Sequence, residues 1–324
     1  MGYEIYMKIP SLVDVIAARK RIAPYLKQTP LQHCTHLSKL LGFEVYIKHE
    51  NHQPTGAFKI RGGINLISQL TPEERKRGVI AASSGNHGQS IALASSMFGV
   101  KAIICVSENC NPDKIATMRN FGAQVIEKGK DYDEARMNAE RLSEEKGYRY
   151  IHSGNEPLLI SGVATMVLEM FEDMPYLDAI LAPVGAGTAI SGACIVAKAV
   201  SPNTKIIAVQ AENAPSVYLS WKSGRLEKTS TANTIADGLA TRQAFELPLK
   251  IIQDNIDDFI LVSEDEIRDA IRLYVENTHT IAEGAGAATL AAAIKIKDSL
   301  AGKKVGLLLT GGNLTAEMLK EILV

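Results

Sequence analysis

The chain has 324 residues, 46% of them apolar and 22% charged, with a formal net charge of −1. It is long enough to bury an ample core in one large domain or two ordinary ones, and its near-neutral balance gives no electrostatic basis for binding nucleic acid or an anionic membrane. Four cysteines (Cys34, Cys105, Cys110, Cys194) show no CxxC or ligand-like spacing and suit a reducing compartment.

Glu4, Lys8 and Pro10 precede any long apolar run, so no signal peptide is expected and the chain reads as cytoplasmic. The apolar spacing predicts a helix over 12–21, an extended segment around Thr29-Pro30-Leu31 and a strand over 45–47. Pro54 breaks that alternation. A tight loop from Thr55 to Gly63 follows, and Ile64, Leu66, Ile67 and Leu70 recur at helical spacing, which puts Lys59 near a helix's first turn. Thr71-Pro72-Glu73-Glu74 is a helix start and Gly78 its stop. Strands over 79–82, 102–106, 124–127, 148–151, 179–183, 206–209, 259–262 and 305–309 then follow. Between and after them come helices reaching Met97 and Val200, helices over 112–121, 131–146, 157–170, 264–277 and 286–297, and a last one at the C-terminus. The stretch 179–200 could mimic a membrane span, but Pro183, Gly185, Gly187 and Gly192 interrupt it; it reads as strand, loop and helix. Such alternation implies an α/β fold with largely parallel sheets, whose ligands sit where loops leave the carboxyl ends of strands.

Several of those loops carry chemistry. The positive potential of a helix start disfavours a protonated amine, and a lysine held neutral there can form a Schiff base with a carbonyl compound; the alternative for Lys59 is an ordinary solvated lysine. Ser83-Ser84-Gly85-Asn86-His87 joins a strand to a helix and offers two hydroxyls, an amide and free N–H groups to a carboxylate. It would read equally well as an N-cap. Gly185-Ala186-Gly187-Thr188 opens a helix after an apolar strand and is a candidate phosphate cradle or a structural turn. It is not a dinucleotide fingerprint: the next glycine is Gly192, and no acid ends the following strand before Gln210 and Glu212. Thr310-Gly311-Gly312-Asn313 ends a strand, and Glu283 precedes a Gly/Ala-rich helix, as a site residue or a carboxylate favoured by the helix dipole. The histidine pairs His33/His36 and His49/His52 form no HExxH or Cys/His cluster, so no metal site is expected. No GxSxG is present, which leaves a hydrolase triad unsupported.

The run His49-Glu50-Asn51-His52-Gln53-Pro54-Thr55-Gly56-Ala57-Phe58-Lys59-Ile60-Arg61-Gly62 resembles the lysine motif of the threonine dehydratase and serine racemase family. The likeness continues in order through Ser83–Gly88, the 185–188 loop, Thr234-Ile235-Ala236-Asp237-Gly238, Glu283 and the Thr310–Asn313 end. It implies a fold-type II enzyme dependent on pyridoxal 5'-phosphate, akin to the tryptophan synthase β chain, with two open, largely parallel sheets. A large domain would comprise residues 1–50 and 148–324, and a small one residues 51–147. Lys59 would carry the cofactor as a Schiff base and shuttle the α-proton, beside Phe58. Asn86 would bond the ring's 3-hydroxyl, and Ser83, Ser84, Gly85, Asn86 and His87 would hold the substrate carboxylate. Gly185, Ala186, Gly187 and Thr188 would hold the phosphate, Glu283 would lie by the cofactor, and Thr310 would face the pyridine nitrogen.

The chain departs from the family's pattern in three places. The phosphate loop is usually four consecutive glycines, the pyridine partner more often Ser or Cys, and the family's divalent-cation site uses acids where Gln210 and Ser216 stand here. That metal site is therefore not expected. The resemblance implies β-elimination of a hydroxyl from L-threonine or L-serine, giving a 2-oxo acid and ammonia, by a homodimer or homotetramer. Ser84 keeps serine racemase open, because dehydratases of the family commonly have Ala there, whereas 236–242 resembles the dehydratase branch. A 3-hydroxyaspartate ammonia-lyase ranks third, and a non-catalytic amino-acid-binding relative is the reading from another class. No room follows Val324 for the regulatory domain of biosynthetic dehydratases, so feedback by a distal amino acid is not expected.

Overall fold

The computed structural model describes residues 8–324; Glu4, part of the stretch read for a leader, lies outside them. The chain opens with α1 (Leu12–Ile22), β1 (Leu31–His33), α2 (Thr35–Leu41), β2 (Glu44–His49), α3 (Lys59–Ile67) and α4 (Pro72–Arg77). Next come β3 (Val79–Ala82), α5 (Asn86–Met97), β4 (Ala102–Val106), α6 (Pro112–Asn120), β5 (Gln124–Glu127), α7 (Tyr132–Lys146) and β6 (Arg149–Tyr150). After α8 (Pro157–Asp173) follow β7 (Ala179–Pro183), α9 (Thr188–Val200), β8 (Lys205–Ala211), α10 (Ser216–Ser223) and α11 (Glu246–Ile252). The chain ends with β9 (Asp258–Val262), α12 (Glu264–Thr278), α13 (Gly284–Lys295), α14 (Lys297–Leu300), β10 (Lys304–Leu309) and α15 (Ala316–Leu323).

The strands form two sheets. One has the order β1-β2-β10-β7-β8-β9, parallel throughout except that β1 runs antiparallel to β2; the other has the order β5-β4-β3-β6 and is wholly parallel. In the larger sheet Val45, Ile47, Leu181, Val209 and Leu307 face one apolar cluster, while Tyr46, Ile180, Ala208 and Leu308 face a second on the opposite side. In the smaller sheet Val79, Ala81, Ile104 and Val106 face one cluster, and Ile80, Ala82, Ile103 and Cys105 another. Alternate side chains enter opposite faces of a strand, so a sheet covered by helices on both sides demands unbroken apolar runs.

Local chemistry sets the boundaries. Thr71 and Glu74 form a reciprocal capping box at the start of α4, and Gly78 ends it at φ 93°. The stretch 179–200 is β7, a loop and α9, and among the described residues no helix is long and apolar enough to cross a membrane. Four helices go beyond the sequence reading: α2, α10, α11 and the four-residue α14. α2 has only seven residues; α10 follows Pro215, and α11 carries Pro248 in its first turn, a proline tolerated there because the first N–H groups of a helix lack intrahelical partners. The strand expected over 148–151 is reduced to Arg149–Tyr150, and the helix expected over 286–297 starts two residues earlier and stops at Lys295. These elements bring the loops after β2, β3, β7 and β10 to one cleft.

Candidate active site

The cleft has a volume of about 1300 Å³ and is lined by Phe58, Lys59, Ser83–His87, Gly185–Ala189, Glu283 and Thr310, together with parts of 111–136 and 228–245. Every site residue expected from the sequence therefore reaches one cavity.

Lys59 is the first residue of α3. Its Nζ donates to Thr188 Oγ1 at 2.7 Å and lies 5.1 Å from the Phe58 ring centroid. No carboxylate pairs with it among the described residues, and desolvation in the cleft pulls its pKa down to about 8. The start of α3 has no side-chain cap; Phe58 N–H instead donates to the Thr310 carbonyl at 3.0 Å, which ties the lysine's helix to the end of β10.

Thr188 is also the first residue of α9, behind the small-residue turn. Gly187 sits at φ 86°, in the left-handed region, and a Cβ on Gly185 would come within 1.9 Å of the Gly238 carbonyl oxygen. The first N–H groups of α9 have no partners in their own helix, and with the Thr188 hydroxyl they offer donors of the kind that suit an anion, one hydrogen bond from the lysine amine.

Asn86 opens α5. Its Nδ2 donates to Glu283 Oε1 at 2.8 Å, and its Oδ1 accepts from Asn313 Nδ2 at 2.7 Å, which also donates to the Thr55 carbonyl at 2.8 Å. Glu283, the N-cap of α13, has its pKa pushed up to about 7 by burial, partly offset by the Asn86 bond. Ser83 Oγ accepts from Gly85 N–H at 3.2 Å, holding the turn, while Ser84 is exposed within the cleft. His87 is buried, with Nε2 3.3 Å from the Ile151 carbonyl oxygen and Nδ1 unpartnered; burial takes its pKa down to about 3, so the ring stays neutral.

The rim is ionic. Lys114 of α6 pairs with Asp237, and Asp133 of α7 with Arg242, so both small-sheet helices contact the 237–242 segment. Sequence reasoning did not find these pairs, nor Asn313 as the partner of Asn86, because each joins residues more than 100 positions apart. Where the resemblance would put metal-binding acids, Gln210 Oε1 accepts from Tyr218 N–H at 3.1 Å and Ser216 Oγ donates to the Thr241 carbonyl at 2.7 Å. Among the described residues no group of three or more His, Cys, Asp or Glu could hold a metal ion.

This donor set fits an aldehyde cofactor carrying a phosphate: a desolvated lysine amine, a glycine-floored turn suited to an anion beside it, an amide for a ring oxygen and a hydroxyl from Thr310. Comparison with known proteins agrees. Residues 22–311 match the family model described as pyridoxal-phosphate dependent enzyme. The chain is 41% identical to the L-threonine ammonia-lyase of Thermotoga maritima over 97% of its own length and 78% of that protein. It is 39% identical to the serine racemase of Dictyostelium discoideum, over 98% and 99%. Among solved structures it resembles the processed threonine deaminase isoform 2 of Solanum lycopersicum, with a TM-score of 0.92 and 34% identity over 96% of this chain and 91% of that one.

Proposed function

Because the chain belongs to the pyridoxal-phosphate-dependent enzyme family, we propose that it is an ammonia-lyase acting on L-threonine and L-serine, forming a 2-oxo acid and ammonia. The observation that supports this reading best is the 2.7 Å bond between Lys59 Nζ and Thr188 Oγ1, at the start of α9 behind the small-residue turn. Pyridoxal phosphate bound here supplies an electron sink that acidifies the α-C–H bond of an attached amino acid.

The chain's own residues supply the rest. Gly185, Ala186, Gly187 and Thr188 seat the phosphate, and Asn86, oriented by Glu283 and Asn313, holds a ring oxygen. The Ser83–His87 turn at the start of α5 binds the substrate carboxylate through N–H groups and hydroxyls. Lys59, uncharged in a useful fraction near neutral pH, takes the α-proton at Nζ. The β-hydroxyl leaves with a proton as water, and hydrolysis of the released enamine then yields the oxo acid and ammonia. Thr310, which lines the same cleft, would offer the ring nitrogen a neutral hydroxyl in place of a carboxylate.

A second reading, serine racemase, is favoured by the exposed Ser84 hydroxyl in the same cleft, which can return a proton to the other face of the α-carbon. Incubation with L-serine, D-serine, L-threonine and 3-hydroxyaspartate, followed by oxo acid and enantiomer ratio, tests both; oxo acid from L-threonine supports the lyase, and its absence with D-serine accumulating supports the racemase. A colourless protein that binds serine without turnover would overturn both.

The proposal extends to the setting. The enzyme acts in the cytoplasm as a homodimer or homotetramer, built from a large domain (1–50 and 148–324) and a small one (51–147). Light scattering on the purified protein tests the assembly.

A further inference from the structure

Behind the lysine lies a charged cluster that the chemistry above does not use. Arg61, 1% exposed, makes two forked ion pairs. Nε and Nη2 donate to the two oxygens of Glu50 at 2.7 and 2.8 Å, and Nη1 and Nη2 to the two oxygens of Glu169, both at 2.7 Å. Nη1 also donates to Thr165 Oγ1 at 3.1 Å. Lys48 Nζ donates to Glu169 Oε2 at 2.6 Å and to the Thr29 carbonyl at 2.7 Å, and Thr29 Oγ1 to Glu50 Oε1 at 2.6 Å. Arg19 reaches Glu169 from the half-buried edge. Glu50 follows the last residue of β2, while Thr165 and Glu169 belong to α8, so one guanidinium joins three elements.

Successive residues of a helix are rotated by about 100°, so Arg61 leaves α3 about 200° round from Lys59. One side chain points into the cleft and the other is clamped on nearly the opposite face. The backbone leaves little slack: a Cβ on Gly162 of α8 would come within 2.7 Å of the Arg61 carbonyl oxygen, and Ser90 Oγ donates to the Lys59 carbonyl at 2.7 Å. Apolar side chains of similar volume usually stabilise an interior as well as buried ion pairs do. Two coplanar forks add something that apolar contacts lack, which is a fixed angle about the helix axis.

We propose that Arg61 is a positioning residue: held by Glu50 and Glu169, it sets the rotation of α3 that aims Lys59 at the reacting carbon. The proposal rests on Lys59 being the cofactor-bearing lysine. An angular error that displaces the amine by about 1 Å costs on the order of 10²-fold in rate, whereas the donors of the Ser83–His87 turn sit at the start of a different helix, α5, and do not move with the lysine's own side chain.

The test compares Arg61→Lys, which keeps the charge and loses both forks, with Glu50→Gln, which keeps the volume and weakens one. Each is measured as purified holoenzyme for cofactor content, visible circular dichroism of the bound cofactor, thermal stability, and kcat and KM on the better of L-threonine and L-serine. The expected result for Arg61→Lys is a coloured protein with kcat down about 10- to 100-fold, KM little changed and an altered dichroic band; Glu50→Gln should shift the same way by less. A purely structural cluster would lower thermal stability yet leave turnover per bound cofactor and the dichroic band alone in both variants, and that result overturns the proposal. Should Arg61→Lys not fold, an unchanged band and kcat in Glu50→Gln overturns it alone. Lys59→Ala, run alongside, separates the two ideas: if it keeps colour and turnover, the functional reading fails whatever Arg61 does.

Discussion

Asn86 and Glu283 lie 197 positions apart in the chain, and the amide of one donates to the carboxyl of the other at 2.8 Å. Glu283 has its pKa raised to about 7 from an ordinary 4.5, so between those values the folded protein holds a proton that the unfolded chain has released. Stability from this group is therefore present at low pH and falls as pH rises through that window. Glu283→Gln should flatten the melting temperature against pH between about 4.5 and 7. A variant whose melting profile keeps the parental slope would show that Glu283 is not the group concerned.

Lys59 shifts the other way. With a pKa of about 8, the free amine is neutral in about a tenth of molecules at pH 7, against well under a thousandth for an ordinary lysine. Cofactor-stripped protein should therefore regain its colour with pyridoxal phosphate at a rate that rises as pH approaches 8 and levels off above it. Stopped-flow absorbance would show this. A rate still climbing steeply from pH 9 to 10 would mean that the amine is not desolvated as described.

Ser84→Ala should abolish any interconversion of serine enantiomers while dehydration of L-serine continues. Chiral chromatography and oxo acid assays on one sample decide it. Loss of L-serine dehydration along with racemisation would assign Ser84 a different job.

Gly185→Ala places a methyl group where the Gly238 carbonyl oxygen would lie 1.9 Å away, so either the anion turn or the 237–242 segment must move. Relieving such a clash costs about 1–3 kcal/mol, so cofactor affinity should fall by about tenfold or more with little change in secondary structure. Equilibrium dialysis against pyridoxal phosphate measures it.

Gln210 and Ser216 bring no carboxylate, and the oxygen of each is already engaged, Gln210 Oε1 by Tyr218 N–H and Ser216 Oγ by the Thr241 carbonyl. A chelator should accordingly leave melting temperature and turnover unchanged, and added magnesium or calcium should not raise either. Activation by a divalent cation would point to a site formed differently.

Much of this architecture was legible in the sequence because burial on both faces of a parallel sheet leaves a plain mark. The wholly buried runs 79–82, 102–106 and 179–183 match β3, β4 and β7 to the residue. The reactive loops were legible for a related reason: each is small or polar and interrupts such a run at a strand's carboxyl end. What stayed hidden was pairing across the chain. Arg61 lay in the quoted lysine motif, yet its two carboxylates, one 11 and one 108 positions away, leave no local pattern. Asn313 was visible only as the residue after two glycines, and α2 and α11 were too short for periodicity to mark.

The second face of the smaller sheet is thin: Ile80, Ala82, Ile103 and Cys105 bury with Ala139 and the partly buried Ile126, Leu142, Tyr148 and Tyr150. Local opening is cheapest where few apolar groups are sealed. Backbone amides of α7 should therefore exchange with deuterated solvent sooner than those of α8 or α9, whose apolar residues lie deep in the larger core. Since α7 brings Tyr132, Asp133 and Arg136 to the lining of the cleft, a helix that opens more readily than α8 or α9 also forms part of the cavity wall.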